Sequence, residues 1–115
     1  MNQPSFSTIQ DAEAAQPAAV DIHPDDAEAA ANFLKTMSHR DRLSILCALS
    51  SEEKSVSEIE NSLALRQSSV SQHLARLRME GFVTTRRRGK QIFYSISDER
   101  TLRIISVLHE LFCAK

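Results

Sequence analysis

The chain is short, nearly neutral overall and poor in both glycine and cysteine. It has 115 residues, a formal net charge of −1, two glycines and two cysteines. A chain of this length forms one small core, which favours association with a second copy. So few cysteines exclude a disulfide scaffold, and so few glycines exclude a glycine-rich phosphate loop. No apolar run approaches the roughly 18 residues of a membrane span, and no signal-peptide pattern opens the chain, so we expect a cytoplasmic protein without membrane contact.

The basic charge is concentrated in one segment. Residues 1–30 contain six acidic residues and no Lys or Arg, and the Ala-, Gln-, Ser- and Pro-rich residues 1–20 predict a disordered acidic tail before a domain at 21–115. Residues 66–90 contain one acid and seven basic residues: Arg66, Arg76, Arg78, Arg86, Arg87, Arg88 and Lys90. A local basic patch of this kind is the electrostatic signature of nucleic-acid binding.

Three helices are predicted before the basic segment 66–90. Pro24 begins the first helix, which carries a stripe of small apolar residues. Ser38 is predicted to cap a second helix from His39 to about Ser50, which is apolar nearly all round and therefore central. Ser55 and Glu58 form a capping box that opens a third helix, ending at about residue 63.

The stretch from Arg66 to Gly81 predicts an amphipathic helix with a polar outer face. Val70, Leu74 and Leu77 recur at the spacing of one buried stripe. An ordinary surface helix would have this pattern too, but a three-residue turn, 64–66, joins it to the preceding short helix, which is typical of a helix-turn-helix. Gln can read adenine bidentately in a DNA major groove, and Ser can read several base edges. The predicted base-reading residues are Gln67, Ser68, Ser69, Ser71, Gln72 and Arg76.

A basic hairpin is predicted directly after this helix. Gly81 is expected to end the helix in a left-handed conformation. The alternation of half-buried residues in 83–85 and 92–96 predicts two strands joined around Arg88 and Gly89. Cations on such a protrusion repel one another, and phosphates or a narrow minor groove would relieve that cost, although a solvated basic loop is the alternative. The predicted DNA contacts of this wing are Arg86, Arg87, Arg88 and Lys90.

The last helix is more apolar than one core-facing stripe requires. Ser97 is predicted to cap it, and apolar residues then occupy two of its faces. Its second apolar face implies a partner, most simply the same helix of another copy. The apolar residues are Leu102, Ile104, Ile105, Val107, Leu108, Leu111 and Phe112.

The order and size of these elements resemble the ArsR/SmtB family of dimeric winged-helix repressors. The resemblance covers about residues 24–113, and its most specific motifs are residues 34–43, 69–74 and 81–83. It implies a mainly α fold with a β-hairpin wing, a homodimer built from the first and last helices, and repression by binding an inverted-repeat operator in double-stranded DNA. An inducer would release the DNA. Arg66 departs from the pattern, because many members have a capping Ser there.

The metal sites of that family can be compared with this chain. Thiolate sensors have a Cys pair at the start of the helix-turn-helix, where this chain has the Ser55–Glu58 segment. Zinc sensors use Asp-x-His on the last helix, but Asp98 is followed by Arg100. His109 and Cys113 share a face, which is too few ligands unless Cys47 or a partner residue completes the set. We therefore predict no metal and no cofactor, with a metal- or metalloid-responsive repressor as the alternative.

The two cysteines resemble those of another branch of the family. One Cys in the central helix, Cys47, and one near the end of the last helix, Cys113, are similar to the pair of the persulfide- and sulfide-responsive members (SqrR/BigR-like and HlyU-like). That resemblance implies that reactive sulfur species link the two thiols by a polysulfide or disulfide bridge and release the DNA. Each inserted sulfur adds about 2 Å, so a polysulfide can span a gap too wide for a disulfide.

The apolar helix around Cys47 and the negative helix end at Cys113 should both raise the thiol pKa. His109 or Lys115 would offset this at Cys113, so we expect Cys113 to react first and Cys47 to resolve it. A general peroxide switch and two inert core cysteines are the alternatives.

Other classes of function fit less well. The four histidines are not arranged with an acid and a nucleophile in any catalytic motif, so we predict no enzyme activity. A pure protein-interaction module would leave the Arg86–Lys90 cluster without a purpose. The residues favour a DNA-binding repressor.

Overall fold

The computed structural model describes residues 19–113, so the predicted tail lies outside the described residues except for residues 19 and 20. The described elements are, in order, α1 (Pro24–Met37), α2 (Arg40–Leu49), β1 (Lys54–Ser55), α3 (Val56–Leu63), α4 (Gln67–Met79), β2 (Val83–Arg88), β3 (Gln91–Ile96) and α5 (Glu99–Phe112). This is the predicted winged helix-turn-helix. No helix within residues 19–113 is long and apolar enough to cross a membrane.

The start of α2 differs from the prediction. Ser38 does not cap this helix; its hydroxyl donates to the Lys35 carbonyl at 2.8 Å and so finishes α1. The cap of α2 is His39, whose Nδ1 accepts the amide of Asp41 at 3.0 Å. An imidazole nitrogen satisfies an unpaired amide of the first turn as a hydroxyl would.

The cap of α5 also differs from the prediction. Asp98, and not Ser97, caps this helix, and its carboxylate accepts the amide of Arg100 at 2.9 Å. The Ser97 hydroxyl donates instead to the Gly81 carbonyl at 2.9 Å and ties the end of β3 to the end of α4. A carboxylate at the helix start also favours the positive end of the helix dipole.

The helix-turn-helix follows the prediction closely. Ser55 and Glu58 form the capping box, with N···O distances of 2.9 and 3.3 Å. Ala64 ends α3 at φ 56°, and Gly81 follows α4 at φ 83°, both in the left-handed region. Arg66 occupies the N-cap of α4 without a side-chain hydrogen bond.

The sheet is antiparallel and has the order β1-β3-β2. The wing hairpin pairs Val83 with Ile96 at its base and Arg88 with Gln91 at its tip. Sequence analysis did not predict β1, because two residues carry no periodicity. Its pairing with Phe93 and Tyr94 attaches the wing to the segment before α3.

The core lies where α2, α3 and α4 meet the base of the wing. The predicted stripe of α4 is confirmed, because Val70, Leu74 and Leu77 are all fully buried. Each such side chain contributes about 1.5–3 kcal/mol on burial. The whole buried apolar set is Met37, Ile45, Leu46, Leu49, Ile59, Val70, Leu74, Leu77, Phe82, Val83 and Ile105.

The side formed by α1 and α5 is unfinished in a single chain. A groove of about 490 Å³ runs between the two helices and is lined mainly by apolar side chains. Leu34 is 50% exposed and Val107 51%, although both are large hydrophobic residues. Leu111 and Phe112 continue this apolar surface to the end of α5 and are still more exposed.

Candidate DNA-binding surface and cysteine site

The outer face of α4 carries the predicted base-reading residues. Gln67, Ser68, Ser71, Gln72 and Arg76 are exposed, and Ser69 is half-buried. Gln72 and Ser68 have no side-chain hydrogen bond within residues 19–113, so their donors and acceptors are free. Arg76 is partly engaged, since its Nε donates to Glu80 at 3.2 Å. A helix of 13 residues is about 20 Å long, and helices of this kind fit the DNA major groove.

The four cations of the wing are not equivalent. Arg86 donates from Nε to Glu53 at 3.1 Å, and a second, shorter bond joins its Nη2 to the other carboxylate oxygen. Its guanidinium also lies over the Phe93 ring, 5.9 Å from the centroid. The hydrogen bond from Arg86 holds the pKa of Glu53 below its usual value. Arg86 therefore fastens the wing to the segment before β1, a role that sequence analysis did not find.

The tip of the wing carries the other cations. Arg87 donates to the Gly89 carbonyl at 3.2 Å, which braces the turn. Arg88 and Lys90 are exposed and have no hydrogen bond or ion pair among the residues that the structure describes. Gly89 adopts φ 64°, which this turn requires. The uncompensated positive charge thus lies at the tip.

The two cysteines are free and exposed in the single chain. Neither thiol therefore belongs to the core of the single chain. Cys47 lies on the side of α2 that faces α5, in a depression of about 480 Å³ lined also by Ser50, Ile105 and His109. Cys113 is the C-cap residue of α5, one turn after His109.

Cys113 acts electrostatically on Cys47. Partial burial is the larger cause that raises the pKa of Cys47, and the negative charge of a Cys113 thiolate raises it further. The direction confirms the expectation for Cys47. The two thiols are 66 positions apart in the chain, yet Cys113 is near enough in the fold for its charge to act on Cys47.

Cys47, His109 and Cys113 do not converge as metal ligands. Within residues 19–113, the one set of three ligand side chains whose ligand atoms lie within 4.8 Å of one another is His39, Asp41 and His73. Burial, followed by the nearby charges of His39 and Arg42, lowers the pKa of His73. Sequence analysis missed this set because His73 is 34 positions from His39, although the His-x-Asp spacing is visible in the sequence.

A winged helix-turn-helix with a polar exposed recognition helix and a basic wing defines a DNA-binding regulator. Residues 39–85 match the family model described as bacterial regulatory protein, arsR family.

Named relatives agree with this match. The chain is 45% identical to the biofilm growth-associated repressor of Agrobacterium fabrum, over 71% of this chain and 70% of that protein. It is 44% identical to the transcriptional activator HlyU of Vibrio cholerae, over 70% and 75% of the two chains. The crystal structure of the transcriptional repressor BigR from Xylella fastidiosa superposes with a TM-score of 0.73 at 42% identity, over 77% and 91%. The chain belongs to the ArsR family and is a DNA-binding transcriptional regulator, not an enzyme.

Proposed function

We propose that this chain is a homodimeric repressor that binds an inverted-repeat operator and leaves it when Cys47 and Cys113 react with persulfides or other reactive sulfur species. The observation that carries the proposal is that both thiols are free and exposed in one chain, and that Cys113 is near enough for its charge to raise the pKa of Cys47. The resemblance to the two-cysteine branch of the family supports the same reading. Repressors on chromosomal DNA act in the cytoplasm, which we propose as its location.

The dimer is supported by the unfinished surface of α1 and α5. Large apolar side chains that stay half exposed in one chain lose contact with water when a second copy covers them, at about 25 cal/mol per Å². A two-fold dimer would present two copies of α4, and such pairs read half-sites one helical turn apart, about 34–36 Å.

The reaction that we propose uses polysulfide as the oxidant. The Cys113 thiolate attacks a sulfur of the polysulfide, and the S–S bond next to that sulfur breaks. When this attack leaves two added sulfurs on Cys113, the Cys47 thiolate attacks the inner of the two, the outer sulfur leaves as hydrosulfide, and a bridge with one additional sulfur remains. Each S–S bond gained by the protein is balanced by one broken in the polysulfide, which is reduced.

The bridge would act on DNA binding through α2. This helix carries Cys47, faces α5 on one side, and packs against both α3 and α4 on the other. A covalent link between α2 and α5 would change how the helix-turn-helix sits on the dimerisation helices, and therefore the spacing of the two recognition helices.

The experiment compares DNA release by the native protein and by two conservative variants. The DNA is an inverted repeat that the reduced protein selects from a random library, and binding is followed by fluorescence anisotropy. Cys113→Ser should bind this DNA as tightly as the native protein and should no longer be released by polysulfide. Cys47→Ser should bind DNA and, at most, be released weakly, because it can form a persulfide but not the bridge.

Two results would contradict the proposal. Loss of DNA binding by reduced Cys113→Ser would make that thiol structural, and undiminished release of both variants would place the sensor elsewhere. Release by hydrogen peroxide as readily as by polysulfide would instead favour the general redox switch.

A further inference from the structure

Three metal-ligating side chains meet where the start of α2 contacts the recognition helix. His39 caps α2, Asp41 lies in its first turn, and His73 belongs to α4. The rings of His39 and His73 lie 4.5 Å apart between centroids, and His73 Nε2 is 4.0 Å from Asp41 Oδ2. One ligand atom of each residue lies within 4.8 Å of the others.

The two oxygens of Asp41 face different partners. Oδ1 accepts the Nε of Arg40 at 3.2 Å, whereas Oδ2 faces His73. Arg42 does not bond to Asp41, because its Nε donates to the Thr36 carbonyl at 2.7 Å, although its charge is near enough to lower the pKa of His73. The oxygen nearest the two rings is therefore free to bind a cation.

The ring nitrogens of His73 are available to a ligand. The side chain is 16% exposed, and no hydrogen bond of the described residues reaches either nitrogen. A ligand between His73, His39 and Asp41 would therefore displace no protein hydrogen bond of His73.

The first turn of α1 supplies an internal comparison. His23 caps α1 as His39 caps α2, with its Nδ1 accepting the Asp25 amide at 3.1 Å, and the same His-x-Asp spacing follows. There the side chains of His23 and Asp25 are 68% and 89% exposed, and no third ligand lies nearby among residues 19–113. Helix capping accounts for His23 completely, but it does not explain why His73 faces His39.

We propose that His39, Asp41 and His73 bind a divalent transition-metal ion of the Zn²⁺, Co²⁺ and Ni²⁺ class. Two imidazoles and one carboxylate suit these ions, and water would fill the open position. A neutral imidazole has one unprotonated nitrogen, so His39 would release the Asp41 amide from its Nδ1 when it binds the ion. Tetrahedral binding at about 2.0–2.1 Å places ligand atoms roughly 3.3 Å apart, so each needs to move by about 1 Å or less, within the reach of side-chain rotation. The ion would join the start of α2 to the recognition helix next to Gln72. This site is separate from the cysteines.

The test is a Co²⁺ titration of tag-free protein in which Cys47→Ser and Cys113→Ser remove the thiols. We expect one Co²⁺ per chain, with a visible d–d absorption of nitrogen and oxygen ligation and without thiolate charge transfer. In the same background, His73→Gln should weaken Co²⁺ binding by about tenfold or more. His39→Asn should weaken it similarly, and because Asn is a good N-cap the start of α2 should stay intact.

The matched control is His23→Asn, which removes the same capping histidine where no third ligand is present. Its Co²⁺ affinity should equal that of the parent protein. Circular dichroism establishes that each variant is folded before its titration is interpreted. No Co²⁺ binding by the parent, or equal binding by folded His73→Gln and His23→Asn, would overturn the proposal.

Discussion

The predicted DNA-reading side of the molecule, on α4, is complete in one chain, and the side formed by α1 and α5 is not. On the first side, the apolar stripe of α4 is fully buried and its polar face is exposed. On the second, Val107 and Phe112 expose half or more of their apolar surface. The proposed DNA contact therefore depends on local sequence, whereas the proposed control by thiols depends on how α2 and α5 lie relative to each other.

The largest expected effect comes from a charge in the α1–α5 groove. Val107→Glu would place a carboxylate where we propose that a second copy packs, and a buried unpaired charge costs several kcal/mol. We expect the variant to sediment as a folded monomer and to bind the selected inverted repeat at least about 100-fold more weakly.

The control is Met79→Glu, since Met79 is a similarly exposed hydrophobic residue on α4, away from the groove. It should remain a dimer. A Val107→Glu variant that also sediments as a dimer would remove α5 from the interface.

Gln72→Ala should show whether Gln72 contacts a DNA base or only the DNA backbone. Loss of a bidentate contact to adenine costs about 1–3 kcal/mol for the preferred sequence and little for random DNA. Competition binding with selected and random duplexes measures the ratio. An equal loss on both duplexes would mean that Gln72 does not read a base.

The wing offers a smaller and more selective prediction. Arg88 is free, whereas Arg86 is paired with Glu53. Arg88→Ala should weaken binding to all sequences alike and reduce the slope of log K against log salt by about 1. Arg86→Ala should change that slope less. Equal changes would show that the Arg86–Glu53 pair opens on DNA.

The smallest effect is on the pH dependence of Cys47. Burial and the charge of Cys113 raise its pKa above the ordinary thiol value of 9.0. The folded chain therefore holds the proton of the Cys47 thiol more tightly than the unfolded chain does. The contribution of this protonated thiol to the free energy of unfolding is lost as the pH rises above 9.0. Alkylation of Cys47 followed by mass spectrometry should have its midpoint above 9.0, and the midpoint should fall in Cys113→Ser, where burial alone remains. An unchanged midpoint would mean that the two thiols do not interact.

Local patterns predicted most of the fold. The stripe of α4, the capping box at Ser55 and the left-handed Gly81 each depend on residues within a few positions, so periodicity and propensity were sufficient. The predicted caps of α2 and α5 were each one residue too early. Ser38 and Ser97 donate to backbone carbonyls, and the next residues, His39 and Asp98, accept the first-turn amides instead.

Contacts between distant residues were beyond sequence reasoning. Arg86 pairs with Glu53 because the wing folds back onto the segment before β1. His73 approaches His39 because α4 packs against the start of α2. The identity of Cys47 and Cys113 as the thiols of interest was visible from their positions. The electrostatic effect of Cys113 on Cys47 was not, because it depends on how α2 and α5 lie relative to each other.

The most direct test of the account is the intact mass of the reduced protein after treatment with polysulfide, with operator binding measured on the same sample. Hydrogen peroxide and glutathione disulfide serve as parallel oxidants. We predict an internal Cys47–Cys113 link that carries at least one additional sulfur, formed with polysulfide and accompanied by release of DNA. Unmodified cysteines with undiminished DNA binding after polysulfide treatment would contradict the account.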